Sequence, residues 1–263
     1  MPRRSHVLLV ATVLAVVAAG AVVWFGQERS PVMTVEVATS REDELRRFAA
    51  SRVFFGHQSV GANIIAGVQA TFTESGLALL VTETREVEAG ETGVLAHAPV
   101  GRNGDPYSKM ADFAAILDGP SGSRVGVALL KLCYIDVVAG TDVDALFAAY
   151  ASMLADLERR HPAVRFLAAT VPLTTDRTDP ADNVARERYN ELVRARFAAS
   201  GDLYDIAAVE ATLAQSPMER RSGSTPYHVL NKALAADSGH LNDLGARLAA
   251  AELIRLVAAG GVG

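Results

Sequence analysis

Short apolar runs recur along the chain at residues 53–55, 77–81, 125–133, 164–171 and 203–204. Each is the length of a buried strand. Between them lie amphipathic stretches: residues 62–72, residues 143–160 with Leu146, Tyr150, Met153, Leu154 and Leu157 on one face, and residues 185–199 with Tyr189, Leu192, Val193 and Phe197 similarly placed. Strands that are apolar throughout, alternating with helices, predict a parallel sheet covered on both faces. A first helix is expected near Thr39–Ser40, with Ser40 as its cap and Glu42, Asp43 and Glu44 favouring its positive end. A last helix is expected from Asn242–Asp243, with Leu244, Leu248, Leu253, Ile254 and Val257 facing inward. Two segments read as long loops: residues 86–108, with four glycines and two prolines, and the Thr/Asp-rich residues 174–183.

The first residues follow a different pattern. Arg3 and Arg4 precede an uncharged run at residues 7–25, long enough at about 1.5 Å per residue to cross a hydrocarbon core of roughly 30 Å. The leading arginines favour a body outside the cytoplasm. Ala19-Gly20-Ala21 has the small-residue spacing of a cleavage site, so a cleaved signal competes with an uncleaved anchor. The expected organisation is a signal-anchor or signal peptide at 1–26, a tether at 27–40 and one domain at 41–263. The net charge of −5 with no Lys/Arg cluster in the body argues against a nucleic-acid partner. Cys133 is the sole cysteine, so an intramolecular disulfide is impossible and the core must hold the fold.

Two segments carry candidate chemistry. Phe-Phe-Gly-His-Gln-Ser-Val-Gly, residues 54–61, puts Ser59 where a strand turns into a helix. Asp-Ser-Gly-His-Leu-Asn, residues 237–242, puts a carboxylate three residues from an imidazole just before the last helix. A hydroxyl becomes a good nucleophile when an oriented base removes its proton, and Ser59, His240 and Asp237 have the residue types for those roles. Each has an ordinary alternative: a helix-capping serine for Ser59, a capping turn with a surface histidine for the second segment. His57 and His97 would supply further imidazoles for a metal site with His240 and Asp237, but no HExxH or paired-His spacing supports one.

Together the two segments resemble the SGNH (GDSL-type) hydrolases, over residues 52–257. Asp237-Ser-Gly-His240 matches that family's D-x-x-H block closely; Gly56-His-Gln-Ser59 approximates its Gly-Asp-Ser with one residue inserted and no aspartate. The resemblance implies a three-layer α/β/α fold with a flavodoxin-like parallel sheet of about five strands, no cofactor, no metal, and ester hydrolysis through an acyl-enzyme. It makes Ser59 the nucleophile, His240 the base and Asp237 its orienting group. The family's oxyanion hole uses the serine N–H, a glycine N–H and an asparagine amide. Here Gly101 or Gly104 would be the glycine, and Asn103 stands in, since Lys131-Leu-Cys-Tyr-Ile-Asp136 has no asparagine where the family does. Asn63, one helical turn beyond Ser59, is a weaker substitute. Asp136 is expected either to accept structural hydrogen bonds or to contact substrate. Lys131 is either a snorkelling stem, a partner for Asp136 or a substrate contact, and His57 is expected to line the substrate pocket beside Ser59.

The expected activity is an extracytoplasmic esterase acting on small acyl esters, such as acetyl groups on envelope carbohydrate. Its rivals are a carbohydrate-binding module on the same fold and a metal-dependent phosphoesterase.

Overall fold

Residues on alternate positions of a strand point to opposite sides of a sheet, and here both sides are apolar. The computed structural model describes residues 42–90, 93–213 and 216–260. The strands β1 (Arg52–His57), β2 (Leu80–Glu83), β3 (Val94–Pro99), β4 (Val127–Leu130), β5 (Arg165–Ala169) and β6 (Leu203–Tyr204) form a sheet in the order β2-β3-β1-β4-β5-β6. Every neighbouring pair is parallel. Val53, Phe55, Leu95, Leu129 and Leu167 face α1 (Glu42–Ala50), α2 (Ser59–Ser75), α6 (Ile206–Ala211) and α7 (Asp243–Ala259). Phe54, Ala96, Ala128, Leu130 and Phe166 face α3 (Pro106–Asp118), α4 (Val143–Arg160) and α5 (Pro180–Phe197). The result is a three-layer α/β/α fold. Each large side chain buried between layers contributes roughly 1.5–3 kcal/mol.

Helix starts follow short-range chemistry. Asp105, Asp142, Asp179, Asp205 and Asn242 each accept a hydrogen bond from a first-turn amide of α3, α4, α5, α6 and α7. Pro106 and Pro180 occupy first-turn positions of α3 and α5, where a missing N–H costs nothing. Gly76 closes α2 with a left-handed φ of 69°.

Two expectations are corrected. Residues 86–108 are not one loop: β3 lies inside them and supplies a sixth strand to the sheet. Its flanking glycines, His97 and Pro99 interrupt the apolar run, yet Val94, Leu95, Ala96 and Ala98 are buried. Residues 174–183 are cut short because α5 begins at Pro180. Two antiparallel pairs, β7 (Thr212–Leu213) with β8 (Ser216–Pro217) and β9 (Glu219–Ser222) with β10 (Thr225–His228), stand apart from the main sheet. The expected anchor or signal, the tether and the Ser40 cap lie outside the described residues. Among the described residues no helix is long and apolar enough to cross a membrane.

The strand order decides where a site can form. From β1 the chain crosses to the edge strand β2, returns to β3 beside β1, and then passes to β4 on the other side of β1. The loops leaving the carboxyl ends of these three strands therefore converge on one crevice.

Candidate active site

Ser59 is the first residue of α2, directly after the extended Gln58. The earliest intrahelical donor is Gly61 N–H, 2.8 Å from the Gln58 carbonyl, so the Ser59 amide precedes the helical ladder. The side chain of Ser59 is exposed. The two glycines beside it serve packing, not the close approach of a ligand. A Cβ on Gly56 would lie 2.8 Å from the Phe113 ring, and one on Gly61 would lie 2.3 Å from the Cβ of His57.

The second segment forms a tight turn ahead of α7. Asp237 Oδ1 accepts from the Gly239 and His240 amides, both at 2.8 Å, and Oδ2 lies 2.8 Å from His240 Nδ1. The Gly239 amide, then the imidazole, hold the Asp237 carboxyl down at about 2, below the usual range. An ionised carboxylate only accepts, so His240 donates from Nδ1 and turns an Nε2 lone pair outward. That nitrogen is 2.9 Å from Ser59 Oγ. Residues 181 apart in sequence thus form one hydrogen-bonded chain.

The turn is wedged in place. Thr175 N–H donates to the Ser238 carbonyl at 2.9 Å, and Leu241 N–H donates to Asn63 Oδ1 at 3.3 Å, tying it to α2. A Cβ on Gly239 would meet the Tyr134 ring at 2.6 Å. That ring stands edge-on to the His240 imidazole, with centroids 6.0 Å apart. Buried Arg186 fixes Tyr134 in turn: its Nε donates to the Tyr134 carbonyl at 2.9 Å and its guanidinium lies 5.8 Å from the ring centroid. Neither Tyr134 nor Arg186 was singled out by sequence.

The remaining sequence candidates divide. Gln58 Nε2 donates to the Val100 and Gly101 carbonyls at 2.8 and 3.2 Å, which docks the loop after β3 beside Ser59. Both glycine amides of that loop are already committed. Gly101 N–H donates to Asp112 at 2.9 Å, and Gly104 N–H donates to Asp136 at 2.9 Å. Neither is left for a substrate oxygen. Asn103 is exposed between them, its Oδ1 accepting from Lys109 Nζ at 3.0 Å.

Asp136 accepts structural hydrogen bonds and, wholly buried, is not placed to contact substrate; its partner is not Lys131. It accepts from Lys109 Nζ at 2.6 and 2.8 Å and from the Cys133 amide at 2.7 Å, with both charged side chains wholly buried. Lys109 is a charged residue within the inward stripe of α3, among Met110, Phe113 and Ile116, and that break in pattern was its available signal. Lys131 is fully buried, donates among the described residues to the Leu132 carbonyl at 3.4 Å, and has its pKa pushed down by burial. It is neither a snorkelling stem nor a substrate contact.

His57 does not line the crevice either. It is buried beneath Gly61, with Nδ1 donating to the Gln58 carbonyl at 2.8 Å and Nε2 3.0 Å from His97 Nδ1. Among the described residues no group of three or more His, Cys, Asp or Glu side chains is placed to hold a metal.

No family model matches the chain, and no curated protein does. The chain is similar to several solved structures. One is a member of the lipolytic protein G-D-S-L family from Veillonella parvula, at 12% identity over 76% of this chain and 93% of that one, with a TM-score of 0.46. Another is a catalytic mutant of the acetylxylan esterase Axe2 from Geobacillus stearothermophilus, at 14% identity over 80% and 94%, with a TM-score of 0.46. A third is the periplasmic domain of a lipopolysaccharide acetyltransferase from Salmonella ser. Paratyphi A, at 10% identity over 76% and 81%, with a TM-score of 0.43. Likeness this distant is silent on chemistry and substrate, which rest on the side chains. Fold and site together define a three-layer α/β protein with a hydrogen-bonded Ser–His–Asp set at the carboxyl edge of its sheet.

Proposed function

We propose that the chain is a serine esterase of SGNH type, and that its domain, residues 41–263, works outside the cytoplasm behind the apolar run at 7–25. The observation that carries the reading is the unbroken chain from Asp237 through His240 to Ser59 Oγ. In the first half-reaction His240 Nε2 takes the Ser59 proton as Oγ bonds to the ester carbonyl carbon. Asp237 holds the imidazole in the required tautomer and stabilises the imidazolium that forms. The substrate oxygen, now negative, is met by the Ser59 N–H and the Asn103 amide. The tetrahedral centre collapses, the C–O bond to the leaving alcohol breaks, and His240 returns the proton to that alcohol. Water, deprotonated by the same imidazole, then attacks the acyl-enzyme and releases the acid and free Ser59.

The openness of the site bears on the substrate. The Asp237 side chain is 58% exposed and that of His240 32%, so a bulky leaving group can approach. A small acyl group, such as acetyl, on cell-envelope carbohydrate suits both that openness and an outward-facing body.

The test is hydrolysis of p-nitrophenyl acetate by the full chain, with fluorophosphonate labelling of the same preparations. Ser59→Ala and His240→Ala should each lower kcat by roughly 10⁴–10⁶, and only Ser59→Ala should remove the labelling site itself. Equal rates in all three proteins, or labelling that survives Ser59→Ala, would overturn the reading.

A further inference from the structure

A wholly buried ion pair needs a reason to persist, since replacing one with apolar residues is often neutral or stabilising. The Lys109–Asp136 pair lies where two loops of the crevice meet, and each of its hydrogen-bonding atoms holds part of one of them. Asp136 fixes the Gly104 amide after β3 and the Cys133 amide after β4. Lys109 Nζ, besides the carboxylate, holds only Asn103 Oδ1. We propose that this pair is a positioning device which presents the Asn103 side-chain amide to the oxyanion formed at Ser59. The inference rests on the esterase reading above and deepens it.

The chemistry of lysine settles which way the amide points. An ammonium has donors and no acceptor, so the Asn103 atom facing it must be the oxygen. The NH₂ group is thereby turned away from the ammonium, and Asn103 itself is exposed. The loop itself is docked beside Ser59 by Gln58, whose side chain binds the Val100 and Gly101 carbonyls. With the Gly101 and Gly104 amides committed elsewhere, the loop offers side-chain donors, of which Arg102 is paired with Asp105 and Asn103 is the neutral one held by the buried pair. A cation on Oδ1 also polarises the amide and strengthens its N–H donors. Asp136 alone would oppose a negative oxygen nearby; paired with Lys109 it adds no net charge. The fold thus replaces an asparagine missing after β4 with one after β3, and needs the buried pair to aim it.

The test is a double-mutant cycle on p-nitrophenyl acetate hydrolysis in the full chain, with fluorophosphonate labelling and thermal unfolding of each variant. Asn103→Ala takes one acceptor from the buried Lys109 ammonium and should lower the unfolding midpoint modestly, while lowering kcat by about 10²–10³ at nearly constant KM. Lys109→Met should lower kcat in the parent but produce no further loss in the Asn103→Ala background, because its effect passes through that amide. A structural role would cost as much in both backgrounds, and would overturn the proposal. If Lys109→Met fails to fold, Lys109→Met with Asp136→Asn removes both charges while keeping an acceptor for the loop amides, and the same comparison applies. A parent that labels and hydrolyses, beside an Asn103→Ala variant of equal kcat, overturns this inference alone. A parent that does neither overturns the esterase reading and this inference with it.

Discussion

Burial pulls the His57 imidazole down to about 4, because a charged ring would lose its water with no carboxylate to replace it. Its Nδ1 proton is donated to a carbonyl, leaving Nε2 as an acceptor for His97. An unfolded histidine titrates near 6.5, so between about pH 6.5 and 4 the unfolded chain binds more protons than the folded one. The stability associated with neutral His57 is complete above pH 6.5 and is lost as pH falls toward 4. His97, lowered in the same direction by its partial burial, steepens the loss. Glu210 works the other way: burial raises it to about 8, so its contribution is complete below about pH 4.5 and declines as pH rises through 8. The two trends overlap, and comparing proteins isolates one of them. In denaturant titrations from pH 4.5 to 7.5, the midpoint of His57→Gln should depend less on acid than that of the parent. Parallel profiles would show that His57 does not titrate in this window. At this scale the sequence brings forward Ser59, Asp237 and His240, whose signals lie within a turn and a cap and which the fold joins by hydrogen bonds. It misjudged His57 and Lys131, because whether a side chain ends in a crevice or a core depends on which helix covers it.

Helices α2 and α7 carry the two halves of the hydrogen-bonded Ser–His–Asp set, Ser59 at the start of one and His240 in the turn before the other. They meet through small residues. A Cβ on Gly67 would lie 2.2 Å from the Ala246 carbonyl oxygen and 3.0 Å from the Cβ of Ala250. Backbone that close cannot yield without moving the helices apart. Gly67→Ala should therefore destabilise by roughly 1–3 kcal/mol, despite alanine's better helix propensity, and should lower kcat by loosening the Ser59–His240 hydrogen bond. A lowered denaturant midpoint at unchanged slope would record the first effect. A more stable variant would mean that the helices do not pack as closely as described. The apolar periodicity of both helices was readable, whereas β3 was not. Its six residues contain a histidine and a proline and follow a glycine-rich stretch, and only pairing with β1 and β2 makes them a strand.

In the whole molecule β1 and β4 are flanked by strands on both sides, while β2 is an edge and the β9–β10 pair stands outside the main sheet. Backbone amides open most rarely where both neighbours must part. Hydrogen exchange should therefore be slowest in β1 and β4, and faster by orders of magnitude in β2 and across residues 219–228. Equal protection in β2 and β1 would contradict the strand order. That order also explains why the crevice lies beside Ser59, since β1 lies between β3 and β4 and the loops after all three leave the same edge of the sheet. The sequence by itself determined the alternation of strands and helices, the capped helix starts, the serine at a strand–helix turn and the Asp-x-x-His turn. All of these are encoded within a few neighbouring residues, by periodicity, sterics and local hydrogen bonds. Only the tertiary structure decided that Lys109 and not Lys131 neutralises Asp136, that Gly101 and Gly104 spend their amides on carboxylates, and that the Asn103 oxygen meets Lys109. Those outcomes depend on which of several like groups, distant in sequence, is brought against a given buried charge, and that is settled by packing across layers rather than by anything local.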